Sequence, residues 1–249
     1  MKSLLGVVLL NLCVTLSSFA QLEQIHKETI FSYYSNLAFS QDSQYILKVT
    51  PDISRKNSVI TVLNNKLEVI SEVVLFGNDP EVKLTPDGQN YVVLTQNNAV
   101  FIFDIFGGLV DTYCEVGGCK KVGNWRDIKI NSSSDHALFF SQENGLSLRS
   151  LTGELKFHHT YKNNYIPFGF VPNKSMFWYQ EYDKRVVFLN LNAEVLFEIN
   201  WEQLGHNGSR GILVDTSNEE KLIILDSSTN KIWIFDYTGQ LISNFTVEK

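Results

Sequence analysis

The sequence is poor in the residues that mark several large classes of protein. Three cysteines among 249 residues are too few for a disulfide-rich scaffold. Lysine and arginine, 21 against 27 acidic residues, form no cluster, which argues against nucleic acid or an anionic membrane surface as the partner. There is no Gly-x-Ser-x-Gly elbow and no phosphate-binding glycine loop. Short motifs therefore assign no reaction to this chain.

Residues 1–20 have the pattern of a cleaved secretory signal. Lys2 precedes an apolar stretch, and a small-x-small cleavage site follows at residues 18–20. The apolar stretch is shorter than the roughly 20 residues that span a bilayer. No later segment is long and apolar enough to span one, so we expect residues 21–249 to form one exported domain, secreted, extracellular or periplasmic.

After residue 20, one sequence pattern recurs five times along the chain. In each copy an apolar strand ends in a short polar residue, a turn follows, and another strand begins. Successive polar residues are 40 or 46 positions apart, which is the repeat length of a four-stranded β-propeller blade. The polar residue and the one three positions later are Asp104 and Gly107, Ser150 and Gly153, Asn190 and Ala193, and Asp236 and Gly239, with Asn64 beginning a weaker first copy.

The repeats predict an all-β fold, a β-propeller of five four-stranded blades. Each innermost strand is expected to end in a polar turn, such as Thr-Pro-Asp-Gly at residues 85–88. The second strands are near-continuous apolar runs, such as YVVL from Tyr91, and such runs indicate strands covered on both faces. The blades cover about residues 35–78, 79–124, 125–164, 165–208 and 209–249.

These repeats resemble those of the WD-repeat, YVTN and NHL-type propellers. The resemblance rests on LTPDGQNYVVL from Leu84 and on the IWIFDYTGQLI hairpin from Ile232, and it covers nearly all of residues 21–249. The Trp-Asp dipeptide of the WD family appears here as Phe-Asp, first at Phe103 and again at Phe235. The resemblance implies a fold and no particular activity.

How such a propeller closes is left open by the sequence. Propellers usually let one terminus complete the blade of the other. Residues 21–34, which contain KETIFSYY, are the candidate for closure against residues 240–246. The same segment is an alternative strand of a sixth blade, and an open ring of blades is a third alternative.

Cys114 and Cys119 remain after residues 1–20 and flank the sequence Glu-Val-Gly-Gly. The glycines let the chain double back, so in an oxidising compartment we expect a local disulfide. Two inert thiols and half of a metal site are the alternatives, although no histidine lies beside the pair to complete a metal site. We expect neither a metal nor another cofactor.

A candidate ligand site comes from the residues that lead into the innermost strands. Aligning the blades brings Asn36, Glu81, Asp127, Pro167 and Gly211 to one equivalent position. Arginine suits carboxylates and aromatic faces suit sugars or apolar groups, so this rim could bind a sugar, a peptide or a carboxylate. Channel rims are also polar because water reaches them, and that alternative needs no ligand. The candidate set is Asn36, Glu81, Trp125, Arg126, Asp127, Tyr165 and Arg210.

Other polar residues receive structural interpretations. Asp104 and Asp236 are interpreted as turn residues because serine and asparagine take the same place in other repeats. His158 and His159 are adjacent on an outer strand, so their side chains are expected on opposite faces and cannot bind one metal ion together.

Two functions fit these features. The first is a non-catalytic exported propeller that binds a protein, a peptide or a glycan, either as a monomer or within a larger assembly. The second is a secreted five-bladed glycoside hydrolase, whose acid and base would come from Glu81, Asp127 and Asp215. We expect the binding function.

Overall fold

The computed structural model of the chain describes residues 36–247 apart from residue 41 and residues 52–56, 78–79, 116–117, 120–125, 162–165, 182–183, 206–211 and 217–219. For Asn36, Pro51 and Ile212 it describes the backbone alone. The expected signal at residues 1–20 and the candidate closing segment at residues 21–34 lie outside the described residues.

The described residues form five four-stranded antiparallel sheets, in which each strand pairs with its neighbour in sequence. The all-β class and the four-stranded repeat are therefore confirmed. Sheet 1 contains β1 (Asn36–Phe39), β2 (Tyr45–Pro51), β3 (Asn57–Asn64) and β4 (Val69–Phe76). Sheet 2 contains β5 (Glu81–Leu84), β6 (Asn90–Leu94), β7 (Ala99–Asp104) and β8 (Leu109–Cys114). Sheet 3 contains β9 (Arg126–Ile130), β10 (His136–Ser141), β11 (Gly145–Ser150) and β12 (Leu155–His159).

The last two sheets repeat the arrangement. Sheet 4 contains β13 (Phe168–Phe170), β14 (Met176–Glu181), β15 (Arg185–Asn190) and β16 (Val195–Asn200). Sheet 5 contains β17 (Ile212–Asp215), β18 (Leu222–Asp226), β19 (Lys231–Phe235) and β20 (Leu241–Thr246). A short 3-10 helix, Glu202–Leu204, follows β16. No helix among the described residues is long and apolar enough to cross a membrane.

The hairpin between the third and fourth strands has the same geometry in all five sheets. In sheet 2, Asp104 Oδ1 accepts hydrogen bonds from the backbone N–H groups of Phe106, at 2.9 Å, and of Gly108, at 2.8 Å. Asp236 Oδ1 accepts the equivalent pair from Thr238 and Gln240, each at 2.9 Å. The interpretation of these two aspartates as turn residues is confirmed, because each closes its own loop.

The third residue after the polar one has a positive φ in every copy of this hairpin. Glycine takes the place three times, and its φ is between 83° and 86°. Ala193 takes it in sheet 4 with a φ of 67°, and Leu67 takes it in sheet 1 with a φ of 66°. A side chain makes this conformation unfavourable, which explains why the sequence signal of the first copy is weak although its turn is the same.

Each sheet packs its face against the next sheet in the chain. In β6, Tyr91 and Val93 belong to the apolar cluster shared with sheet 1, whereas Val92 and Leu94 belong to the cluster shared with sheet 3. Alternate residues of a strand point to opposite faces, so one continuous apolar run serves two interfaces. Two further clusters join sheet 3 to sheet 4 and sheet 4 to sheet 5. The core is therefore a set of four layers between consecutive sheets.

Cys114 and Cys119 form a disulfide at the end of β8, which confirms the predicted pairing. Both cysteines are exposed, and the loop that they close begins with Glu115, which is buried. The loop is short, so its cross-link restrains this loop more than it restrains the unfolded chain as a whole.

Candidate functional site

The first strands of the sheets carry the predicted carboxylates. Glu81 in β5 and Asp127 in β9 each lie three residues before the last residue of their strand, so they occupy equivalent positions in sheets 2 and 3. Both side chains are half-buried. β5 contacts β9 directly, which makes these two positions neighbours across adjacent sheets. The structure thus brings Glu81 and Asp127 to the same end of two adjacent strands.

Each of these carboxylates is paired with a lysine of its own strand. Glu81 Oε1 lies 2.9 Å from Lys83 Nζ, and Asp127 Oδ2 lies 3.3 Å from Lys129 Nζ. Residues two apart in a strand share a face, so each pair follows directly from the sequence spacing. The two acids are the less exposed partners, at 27% and 16%, against 40% and 43% for the lysines. In each ion pair the lysine side chain is therefore more accessible to solvent than the acidic side chain.

The other predicted site residues are only partly described. Asn36 begins β1 at the position equivalent to Glu81, and its side chain is not described. Arg126 is half-buried and begins β9, where alternation puts its side chain on the face opposite to that of Asp127. Trp125, Tyr165 and Arg210 lie outside the described residues.

The alignment of the fifth repeat was wrong by two residues. In sheet 2, Val92 of the second strand pairs with Lys83, nine positions before it, and the equivalent pairs of sheets 1, 3 and 4 have the same spacing. The equivalent pair of sheet 5 is Asp215 and Ile223, since Ile223 pairs with Ile234 as Val92 pairs with Ile102, and these residues are eight positions apart. The shorter connection puts Leu213, and not Gly211, at the position of Glu81.

Asp215, the third carboxylate considered for hydrolysis, does not take the position of Glu81. It is the exposed last residue of β17, two residues after Leu213. Two residues of strand correspond to about 7 Å along the strand axis. Asp215 therefore takes the position that Lys83 takes in sheet 2.

A cavity lies toward the turn ends of these strands and was not predicted. Its volume is about 510 Å³, and it is bounded by the first strands of sheets 2, 3 and 4 and by the turns that follow them. A smaller cavity of about 170 Å³ lies between β1 and β5, where Glu81 and Lys83 contribute to the wall. The lining of the larger cavity is Lys83, Leu84, Pro86, Ile128, Lys129, Ile130, Ser132, Gly169, Phe170 and Pro172.

A second polar cluster, also unpredicted, is buried between sheets 2 and 3. Glu115 Oε1 lies 2.5 Å from Arg149 Nε, and Glu115 Oε2 accepts a hydrogen bond of 2.5 Å from Ser147 Oγ. Arg149 also lies over the Tyr113 ring, 4.9 Å from its centroid, and burial raises the pKa of that phenol. Glu115 and Ser147 also line a space of about 10 Å³, which is the size of one water molecule, and the cluster connects sheets 2 and 3.

The two adjacent histidines behave as expected for opposite faces of a strand. His158 Nε2 lies 2.7 Å from the carbonyl oxygen of Asn144. His159 packs on the Tyr179 ring, with 4.7 Å between ring centroids, and its Nε2 lies 3.9 Å from Glu181 Oε1. Burial lowers the pKa of His159, and the nearby Glu181 carboxylate opposes that shift. Among the described residues, no group of three or more His, Cys, Asp or Glu side chains could hold a metal ion.

The site is thus a set of paired charges on neighbouring first strands, beside an open cavity. An arrangement of this kind can hold a ligand by hydrogen bonds, ion pairs and apolar contact. No protein-family model matches the chain, and no curated protein sequence matches it either.

Proposed function

We propose that this protein is an exported five-bladed β-propeller that binds a protein, peptide or glycan partner and catalyses no reaction. The propeller is supported by the packing of each sheet on the next. It is also supported by the contacts of the first strands, β1 with β5, β5 with β9 and β9 with β13. In a propeller these innermost strands surround the central axis, and their resemblance to WD-repeat, YVTN and NHL-type blades fits that arrangement.

Closure of the ring would bring sheet 5 against sheet 1. The four apolar clusters join the sheets in chain order, and none of these four joins sheet 5 to sheet 1. Leu37 and Phe39 lie on the face of sheet 1 opposite to sheet 2 and are 37% and 47% exposed. Leu213 and Phe245, on the face of sheet 5 opposite to sheet 4, are 59% and 49% exposed. Two apolar end faces favour closure, because their contact removes both from water.

Export is supported by two features of different kinds. The N-terminal 20 residues have the composition of a cleaved signal. The Cys114–Cys119 disulfide is exposed, and such bonds persist in oxidising compartments. A secreted or periplasmic location accounts for both.

The observation that carries the binding function is the pairing of Glu81 and Asp127 with lysines. A glycoside hydrolase needs two carboxylates that reach the two sides of one scissile bond. Glu81 and Asp127 each have a lysine ammonium within 3.3 Å, and Asp215 takes the position of Lys83, not that of Glu81. Paired charges at a rim suit recognition, since a polar partner can exchange with each member of the pair.

The test is affinity capture with residues 21–249 from the extracellular or envelope fraction of the source organism, read by mass spectrometry, together with a glycan array. We expect one stoichiometric protein or one glycan class to be retained by the wild type and lost in Asp127→Asn. Glu194→Gln is the matched control, because Glu194 is an exposed hairpin carboxylate that accepts a hydrogen bond from Asn190.

Two results would contradict the proposal. Retention that is the same in the wild type and in Asp127→Asn would move the binding site away from this rim. Glycosidase activity that Glu81→Gln or Asp127→Asn abolishes would establish the hydrolase instead.

A further inference from the structure

The cavity of about 510 Å³ is a second place where this protein can hold a ligand. It lies toward the turn ends of β5, β9 and β13, beyond the positions of Glu81 and Asp127 along the strands. Neither of these two carboxylates is part of its lining. Its volume falls within the range of roughly 300 to 1,000 Å³ that is usual for small-molecule sites.

Most of the cavity wall is apolar. Leu84, Ile130 and Phe170 are the last residues of β5, β9 and β13, and all three line it. Pro86 and Pro172 extend the apolar wall into the turns that follow β5 and β13. A ligand that fills this space gains most of its binding free energy by removing an apolar body from water.

Two cations are fixed on the same wall. Lys83 and Lys129 both line the cavity, and each is held from behind by a carboxylate of its own strand. An ammonium group has three N–H donors, and an ion pair with one carboxylate leaves donors for a ligand. The two paired carboxylates are outside the lining, so Lys83 and Lys129 are its charged residues.

The repeat shows that the charges are a local departure from the common pattern. The residue before the last of the first strand is lysine in sheets 2 and 3, alanine (Ala38) in sheet 1 and glycine (Gly169) in sheet 4. At Gly169 an added Cβ would lie 3.2 Å from the Trp178 indole nitrogen, so this glycine makes room for the Trp178 side chain. The fold therefore does not require a lysine at this position.

From this cavity and its charges we infer a binding site for a small amphiphilic anion, a molecule with an apolar body and a carboxylate or similar acidic group. The apolar body packs on Leu84, Ile130 and Phe170, and the anionic group lies between Lys83 and Lys129. This site goes beyond the proposed partner-binding function, since it adds an apolar wall to the two lysines and takes a ligand of another class.

The experiment is isothermal titration calorimetry of residues 21–249 with dodecanoate and, separately, with dodecyltrimethylammonium. The two probes carry opposite charges and alkyl chains that differ by one methylene, so an unspecific apolar surface binds dodecanoate no more tightly than dodecyltrimethylammonium. We expect dodecanoate to bind more tightly by about 10-fold or more, because charge-assisted hydrogen bonds contribute on the order of 1.5 to 3 kcal/mol.

Three variants assign that preference to the lysines. Lys83→Met is expected to weaken dodecanoate binding by about 3- to 10-fold, since a half-exposed ammonium is screened by water. Glu81→Gln/Lys83→Met removes both charges of the pair, so a loss that persists there is due to the ammonium and not to a newly unpaired carboxylate. Lys156→Met is the matched control, because Lys156 pairs with Glu154 at 2.7 Å two residues away on an outer strand.

Three results would overturn the inference. The first is equal affinity of the wild type for the anionic and the cationic probe, or no binding of either. The second is wild-type affinity for dodecanoate in Glu81→Gln/Lys83→Met, with an unchanged circular dichroism spectrum and melting temperature. The third is an equal loss of affinity in Lys156→Met.

Discussion

Removal of the charge on Glu115 should cost more stability than removal of any exposed acid in this protein. The Glu115 and Arg149 side chains are 5% and 11% exposed, and their ion pair spans from the end of β8 in sheet 2 to β11 in sheet 3. Glu115→Gln keeps the shape of the side chain and takes away the negative charge. The Arg149 guanidinium is then buried between two sheets without its counter-ion.

The expected loss in the free energy of unfolding follows from the burial of the ion pair. Breaking a buried ion pair by removing one partner costs about 3 to 5 kcal/mol, because the remaining charge cannot regain its hydration. The double variant Glu115→Leu/Arg149→Met removes both charges, and it should recover most of that loss. Recovery should be incomplete, since Ser147 Oγ then lacks its acceptor, which costs about 1 to 3 kcal/mol.

The assay is urea unfolding at equilibrium, followed by the fluorescence of the four tryptophans. Glu154→Gln is the control, because Glu154 also pairs with a cation, Lys156, but its side chain is 63% exposed. Its loss should cost no more than about 1 kcal/mol. If Glu115→Gln is as stable as Glu154→Gln, the cluster does not hold sheets 2 and 3 together and the reasoning fails.

The remaining predictions concern closure, turns and pH. Phe39→Ser should lower stability by about 1 to 2 kcal/mol more than Phe76→Ser, which is 88% exposed; equal losses in urea unfolding argue against a closed ring. Ala193→Gly should raise the free energy of unfolding and Gly153→Ala should lower it, each by about 1 kcal/mol, because glycine adopts a positive φ more readily than alanine. Unchanged urea unfolding of both variants contradicts this. Burial lowers the pKa of His159, so the unfolded chain binds more protons below about pH 6.5 and stability falls as the pH drops. In His159→Phe the free energy of unfolding should fall less between pH 7 and pH 5 than it does in the wild type, and an equal fall contradicts this.

The strands could be predicted because their ends are encoded locally. A polar residue that closes its own loop, such as Asn190, and a turn such as Thr-Pro-Asp-Gly at residues 85–88 act within five positions of the chain. The connection after β17 is one residue shorter than its equivalents, and nothing in its composition shows this, so the fifth alignment was wrong. Local signals therefore predict which segments pair and are less reliable about register.

The charged pairs were harder to predict because they depend on partners far apart in sequence. Glu115 and Arg149 are separated by 34 positions and meet only after sheets 2 and 3 pack together. The Glu81–Lys83 pair was within reach of the sequence, since residues two apart in a strand share a face.

Repetition itself separates the structural from the functional positions in this fold. A residue type that recurs in all five sheets, such as the polar residue of the hairpin, is required by the repeat and says nothing about a ligand. A position where sheets differ is free of that requirement, and the residue before the last of the first strand is such a position. Its lysines at 83 and 129 serve no turn and complete no common core layer, yet both line one cavity. Selection for ligand binding would act on a charged residue that the repeated fold does not require and that lies next to a cavity.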